Sequence, residues 1–189
     1  MDITLLIAII AVVAIVIVAA AAFAVFAALD AKKRRELREG FGPEYHRAVA
    51  RSGNSSATEK ELLDRQKRVA QLNLQPIPSV DAARFAQAWH RAQERFVDDP
   101  TAAIRDADRL VRDVMRACGY PLTDFEQRAA DVSVDHPSVV QNYRRAHEIS
   151  EANDRGKVGT EDLRQAMVCY RSLFDDLLES EPAAQTVSR

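Results

Sequence analysis

Glycine, cysteine and alternating strand-like sequence are scarce in this chain, and each scarcity closes a class of function. The six glycines never gather into a phosphate-cradling loop, so P-loop and GxGxxG nucleotide chemistry is excluded. The two cysteines, Cys118 and Cys169, stand apart, with no CxxC pair and no adjacent histidine cluster. That pattern excludes a zinc ribbon and a disulfide framework, and it predicts buried free thiols in a reducing cytosol. HExxH, GxSxG and EF-hand spacings are missing too. No cofactor, metal or catalytic residue is predicted with any motif behind it. A strong charge of one sign is also lacking, since the formal net charge is −2. Residues 30–70 carry 11 basic and 7 acidic side chains, whereas residues 71–189 carry 15 and 20. So acidic a distal part argues against nucleic acid as a partner. Arginine outnumbers lysine 21 to 5 and alanine is abundant, as in a GC-rich bacterial genome.

What the chain does have is a long apolar run. From Ile3 to Leu29 only Thr4 is polar, and no charge falls between Asp2 and Asp30. These 27 residues, at about 1.5 Å each, reach roughly 40 Å, beyond the ~30 Å of bilayer hydrocarbon. Sixteen are Ile, Leu, Val or Phe, each favouring insertion by about 0.3–0.6 kcal/mol. The run is therefore predicted to be one transmembrane helix. A secretory signal would need a basic start, a shorter core and a cleavage site. Ala22-Phe23-Ala24 has the small-x-small form, but the start is not basic and the core is too long.

Lys32, Lys33, Arg34, Arg35 and Arg38 follow the run, diluted by Asp30, Glu36 and Glu39. The positive-inside bias then predicts the N-terminus outside and residues 30–189 in the cytoplasm, at a bacterial inner membrane. The same five cations are the predicted contact with an anionic membrane surface, at about 1 kcal/mol each. Ala20, Ala24 and Ala28 share a helical face, which leaves a homo-oligomer open, although an Ala-rich segment produces that spacing by chance.

Beyond the span, helix signals dominate. The sequence predicts an all-α protein in which the anchor, 1–38, leads into a short helix, a charged helix and a proline linker, 39–78. A soluble helical bundle, 79–178, and a frayed tail, 179–189, complete it. A break is expected at Gly40-Phe41-Gly42, with Pro43 opening the short helix. Ser56 with Glu59 reads as a capping box for the charged helix, and Thr123 with Glu126 as another. In the charged helix, Glu61–Arg65 and Asp64–Arg68 stand four apart, and the apolar face is thin, so it reads as a stalk. Asp99-Pro100, Asp135-His136-Pro137 and Thr160 read as further helix starts.

Candidate chemistry is sparse. Asp131, Asp135 and His136, with Asp124 and Glu126 upstream, form a carboxylate-rich segment that could serve acid–base work or hold a divalent ion. The same residues suit caps and loop solvation. His147 lies one turn before Glu151, a two-ligand spacing short of a metal site. His46 and His90 read as solvated. Phe85, Trp89, Phe96, Tyr143, Tyr170 and Phe174 form an aromatic stripe that reads first as core, and second as a groove for a partner helix.

Several stretches carry a resemblance: Phe41-Gly42-Pro43-Glu44-Tyr45, Arg95-Phe96-Val97-Asp98-Asp99-Pro100 and Asp124-Phe125-Glu126-Gln127-Arg128-Ala129-Ala130-Asp131. Val134-Asp135-His136-Pro137 and Thr160-Glu161-Asp162-Leu163-Arg164-Gln165-Ala166-Met167 add to it. As a set, from about Lys32 to Leu178, the chain resembles a bacterial family of small, single-span helical proteins from high-GC genomes. The resemblance implies the topology and fold and carries no activity over. At Cys169 the chain departs from that family's His, which argues against an essential ligand there. The function expected from all this is a membrane-anchored cytoplasmic scaffold or protein-interaction module. A tethered hydrolase or metal enzyme around Asp131, Asp135 and His136 is the alternative, and an anionic-lipid binder a second one.

Overall fold

The computed structural model describes residues 3–179, all of whose regular elements are helices. They are α1 (Ile3–Phe41), α2 (Pro43–Ser52), α3 (Ser55–Val69), α4 (Ser79–Asp98), α5 (Pro100–Cys118), α6 (Phe125–Asp135), α7 (Val140–Asp154) and α8 (Thr160–Glu179). The expected frayed tail lies outside the described residues. The chain divides into two compact units at Glu39/Gly40.

The first unit is the body of α1. Unlike the helices of a globular domain, it shows no polar face from Ile15 to Leu29. Ile15, Val18, Phe23, Phe26 and Leu29 are all exposed, Phe23 by 73%. One N-terminal helix is thus long and apolar enough to cross a membrane.

The second unit begins where α1 ends. Gly42 takes φ 48°, a left-handed backbone that L side chains rarely adopt, so the helix stops there and Pro43 starts α2. Asn54 then caps α3, its Oδ1 accepting from the N–H groups of Ser56 and Ala57 at 2.9 and 3.3 Å. The expected Ser56/Glu59 box is therefore replaced by an Asx cap two residues earlier. Likewise Asp124, not Thr123, caps α6 by accepting from Gln127 N–H at 3.0 Å. Asp99 caps α5 as its sequence predicts, bonding Ala102 N–H at 2.9 Å with Pro100 behind it. The Asp135-His136-Pro137 segment ends α6 and turns into α7, which starts only at Val140.

Helices α4, α5, α7 and α8 share one hydrophobic core. α5 buries Ile104, Ala107, Val111, Val114 and Met115 completely on one stripe, as apolar residues at i, i+3, i+4 and i+7 require. Trp89 of α4 stacks on Phe174 of α8 at 4.7 Å, and Tyr143 of α7 meets Tyr170 of α8 edge-on at 6.3 Å. The linker between α3 and α4 is held to this core. Gln75 N–H donates to Cys118 O at 3.0 Å, and Leu72, Leu74 and Ile77 pack on the cluster. Gly119, at φ 100°, makes the close approach possible, since a Cβ there would sit 2.5 Å from Asn73 O.

The charged helix predicted as a stalk behaves differently. α3 is helical, but it packs beside α2 and against α6 with Leu62, Arg65 and Val69 buried. Its thin apolar face suffices because charged groups on α6 and α7 meet the charged groups beside it.

Candidate functional site

The most concentrated chemistry in the second unit lies where α2 and α3 meet α6 and α7. Pro43 at the start of α2 fixes the helix so that Glu44 points inward, and Glu44 is only 1% exposed. A buried carboxylate is costly unless its oxygens are occupied. Glu44 Oε1 accepts from Arg65 Nη1 of α3 at 3.1 Å and from Arg144 Nη2 of α7 at 2.9 Å. Its Oε2 accepts from Gln141 Nε2 at 2.9 Å. Both arginines are themselves buried, at 3% and 2% exposure. Each reaches outward to a second carboxylate, Arg65 to Glu61 at 2.5 Å and Arg144 to Glu126 at 2.8 Å. Burial alone would raise the Glu61 carboxyl, but the hydrogen bonds from Arg65 and Arg51 outweigh it and hold Glu61 below the usual range.

Asp131, in the acidic segment, is a further member of this assembly. It is 1% exposed, and its Oδ1 takes Arg68 Nη2 at 2.7 Å and Gln127 Nε2 at 2.8 Å. Its Oδ2 has no hydrogen-bond partner, nor has Arg144 Nε. A surface cleft of ≈ 550 Å³ opens between α3 and α6 beside these groups, with Arg51, Lys60, Arg65 and Arg68 facing Asp124 and Glu126.

The structure scatters the other predicted acid–base residues among separate tasks. Asp135 is exposed and accepts from the Tyr120 hydroxyl at 2.8 Å, and burial, reinforced by that carboxylate, pushes the phenol far up. His136 is buried and pairs through Nδ1 with Asp176 of α8. Asp124 is a cap and Glu126 a surface partner of Arg144. Among the described residues, no three of His, Cys, Asp and Glu converge as metal ligands. His147 stacks on Phe125 at 3.6 Å, and its Nε2 lies 3.5 Å from Glu151. Burial lowers its pKa. Cys118 and Cys169 are buried free thiols, and burial pushes Cys118 up to about 11, away from nucleophilic use.

The aromatic stripe is core, not an open groove. Phe85, Trp89, Tyr143, Tyr170 and Phe174 are all within 8% exposure and Phe96 packs against the same cluster. The groove reading fails because α7 and α8 close over the faces that α4 and α5 offer. The basic residues after the apolar run sit on the exposed end of α1. There Lys32–Glu36, Arg34–Asp30 and Arg35–Glu39 form pairs one turn apart, at 3.8, 2.8 and 2.8 Å.

Sequence reasoning missed the Glu44–Arg65–Arg144 centre. Glu61–Arg65 was legible as a helical pair, but nothing in the spacing announces that the other edge of Arg65 turns inward. The one usable signal was Glu44 within Gly-Pro-Glu-Tyr, directly behind a conformationally demanding glycine. Comparisons with family models, with curated proteins and with solved structures return no match for this chain.

Proposed function

We propose that the protein is a membrane-tethered scaffold or protein-interaction module, with α1 as the anchor in the bacterial inner membrane and residues 40–179 in the cytoplasm. One observation carries this reading: the apolar side chains of α1 from Ile15 to Leu29 are exposed around the helix, a surface suited to lipid and unsuited to water. The five cations at Lys32–Arg38 favour the cytoplasmic side for this end. Asp30, Glu36 and Glu39 take three of them in pairs, which suits orientation of the anchor better than recognition of a particular lipid headgroup. The acidic and aromatic residues with chemical potential support the scaffold reading in a second way. They are engaged in bracing helices to one another, as Glu44, Asp131 and Tyr170 are. The motif resemblance to single-span bacterial helical proteins favours the same topology.

Fractionation and protease access test the anchor. The chain should stay in the membrane pellet after a high-pH carbonate wash, and protease added to intact spheroplasts should leave 40–179 undigested. Release into the supernatant, or digestion of that part, overturns the reading. The scaffold half is tested by crosslinking at native expression followed by detergent pull-down. A stoichiometric protein partner is expected, and recovery of the bait alone counts against it.

A further inference from the structure

We infer that α2 and α3 form a releasable layer, a helical hairpin that undocks from α6 and α7 as a unit while α4, α5, α7 and α8 stay folded. Four observations meet here. The hydrophobic cluster that joins α4, α5, α7 and α8 includes no residue of α2 or α3. The hairpin's long-range hydrogen bonds to the rest join Glu44 to Arg144 and Gln141, Arg65 to Ser133, and Arg68 to Asp131, and its buried apolar side chains, Tyr45, Ala48, Leu62 and Val69, lie outside that cluster. The Asp131 Oδ2 and Arg144 Nε atoms at that junction are buried without a partner, and an open surface cleft of ≈ 550 Å³ lies between the outer edges of α3 and α6. Buried ion pairs roughly break even against desolvation, so such a layer gains little net stability from its charges, and local opening draws on its weakest contacts.

The hairpin can leave whole because it is tied to itself. Arg51 and Arg65 share Glu61, Ser52 Oγ lies 2.6 Å from Thr58 Oγ1, and Asn54 caps α3. It also has a hinge at each end. Upstream is Gly42 with φ 48°, which has open space where a side chain would stand. Downstream is the turn at 70–72, after which the linker is fixed to α5 by the Gln75–Cys118 bond and the Gly119 approach. Release therefore uncovers the α6–α7 face bearing Asp131, Ser133, Gln141 and Arg144. That release does not depend on the anchor reading. A longer tether for the bundle, as its consequence, does.

Native-state hydrogen exchange read by mass spectrometry on the full chain in nanodiscs, across sub-denaturing urea, tests this. Amides of 43–69 should exchange at least roughly tenfold faster than those of α5 and α8, with a smaller urea dependence, and peptide 73–77 should follow α5. Glu44→Gln should accelerate 43–69 by about a further hundredfold and leave α5 and α8 unchanged, with Glu44→Asp in between. One shared rate and one urea slope for 43–69 and α5 overturns the inference, as does equal acceleration of every helix by Glu44→Gln. Should that variant not fold, the wild-type urea series decides alone.

Discussion

α3 and α5 are both rich in charge, yet they are held in opposite ways. α5 buries seven residues, all apolar or cysteine, against three other helices. α3 buries five, of which only Leu62 and Val69 are apolar, beside Thr58, Glu59 and Arg65. The first is fixed by volume and dispersion, which tolerate no void. The second is fixed by the match of charges across a junction, where the attraction and the cost of leaving water nearly cancel. Burial alone therefore does not measure how firmly a helix is held.

Three losses, in decreasing size, and one compensating replacement would sharpen this contrast. Trp89→Ala removes the ring stacked on Phe174 and should cost about 3–5 kcal/mol in urea unfolding of the whole bundle. Glu44→Gln leaves Arg65 and Arg144 buried against a neutral amide and should cost about 3 kcal/mol, read as early loss of α2–α3 signals. Replacing Glu44, Arg65 and Arg144 together by Met or Leu should be neutral or stabilising. No comparable rescue exists for Trp89, so a large loss in the triple variant would break the comparison. Asn54→Ala removes the α3 cap and should cost about 1 kcal/mol, confined to the hairpin by hydrogen exchange.

The smallest change concerns pH. His147 in the fold is held below its ordinary 6.5 by burial. As pH falls through 6.5 the unfolded chain takes up a proton that the folded chain resists, so stability should decline from about pH 6.5 downward. His147→Gln should flatten that limb in thermal melts at a series of pH values. The Glu61 contribution, from a lowered carboxyl, is lost only on further acidification, below its ordinary 4.5.

Much of the fold was legible in the sequence because it is written locally. The apolar run, the stripe of α5, the Asp99-Pro100 start and the two-proline linker each lie within a few turns of chain, where periodicity and capping chemistry operate. The capping residues were misplaced by one or two positions where two hydrogen-bonding side chains competed, as Asn54 did with Ser56. The charged junction was not legible, because Glu44 and Arg144 stand 100 residues apart. Arg68 shows the difficulty plainly. Four residues behind Asp64 it reads as a surface pair, but it bonds Asp131, while Asp64 turns to Lys67. A side chain's partner along its own helix is a short-range fact; a partner on another helix depends on how the helices come together. The aromatic stripe illustrates the converse, since its spacing reported an apolar face and could not report how many helices would cover it.

The missing methyl at Gly119 has a consequence for the order of assembly. Asn73 leaves the ribosome well before the glycine whose bare backbone is its seat, so the strap from α3 to α4 has nowhere to settle until α5 has been made and has ended. The first helix of the core to be synthesised therefore waits for the second, and a side chain at position 119 would collide with the strap at Asn73 just as it came to settle.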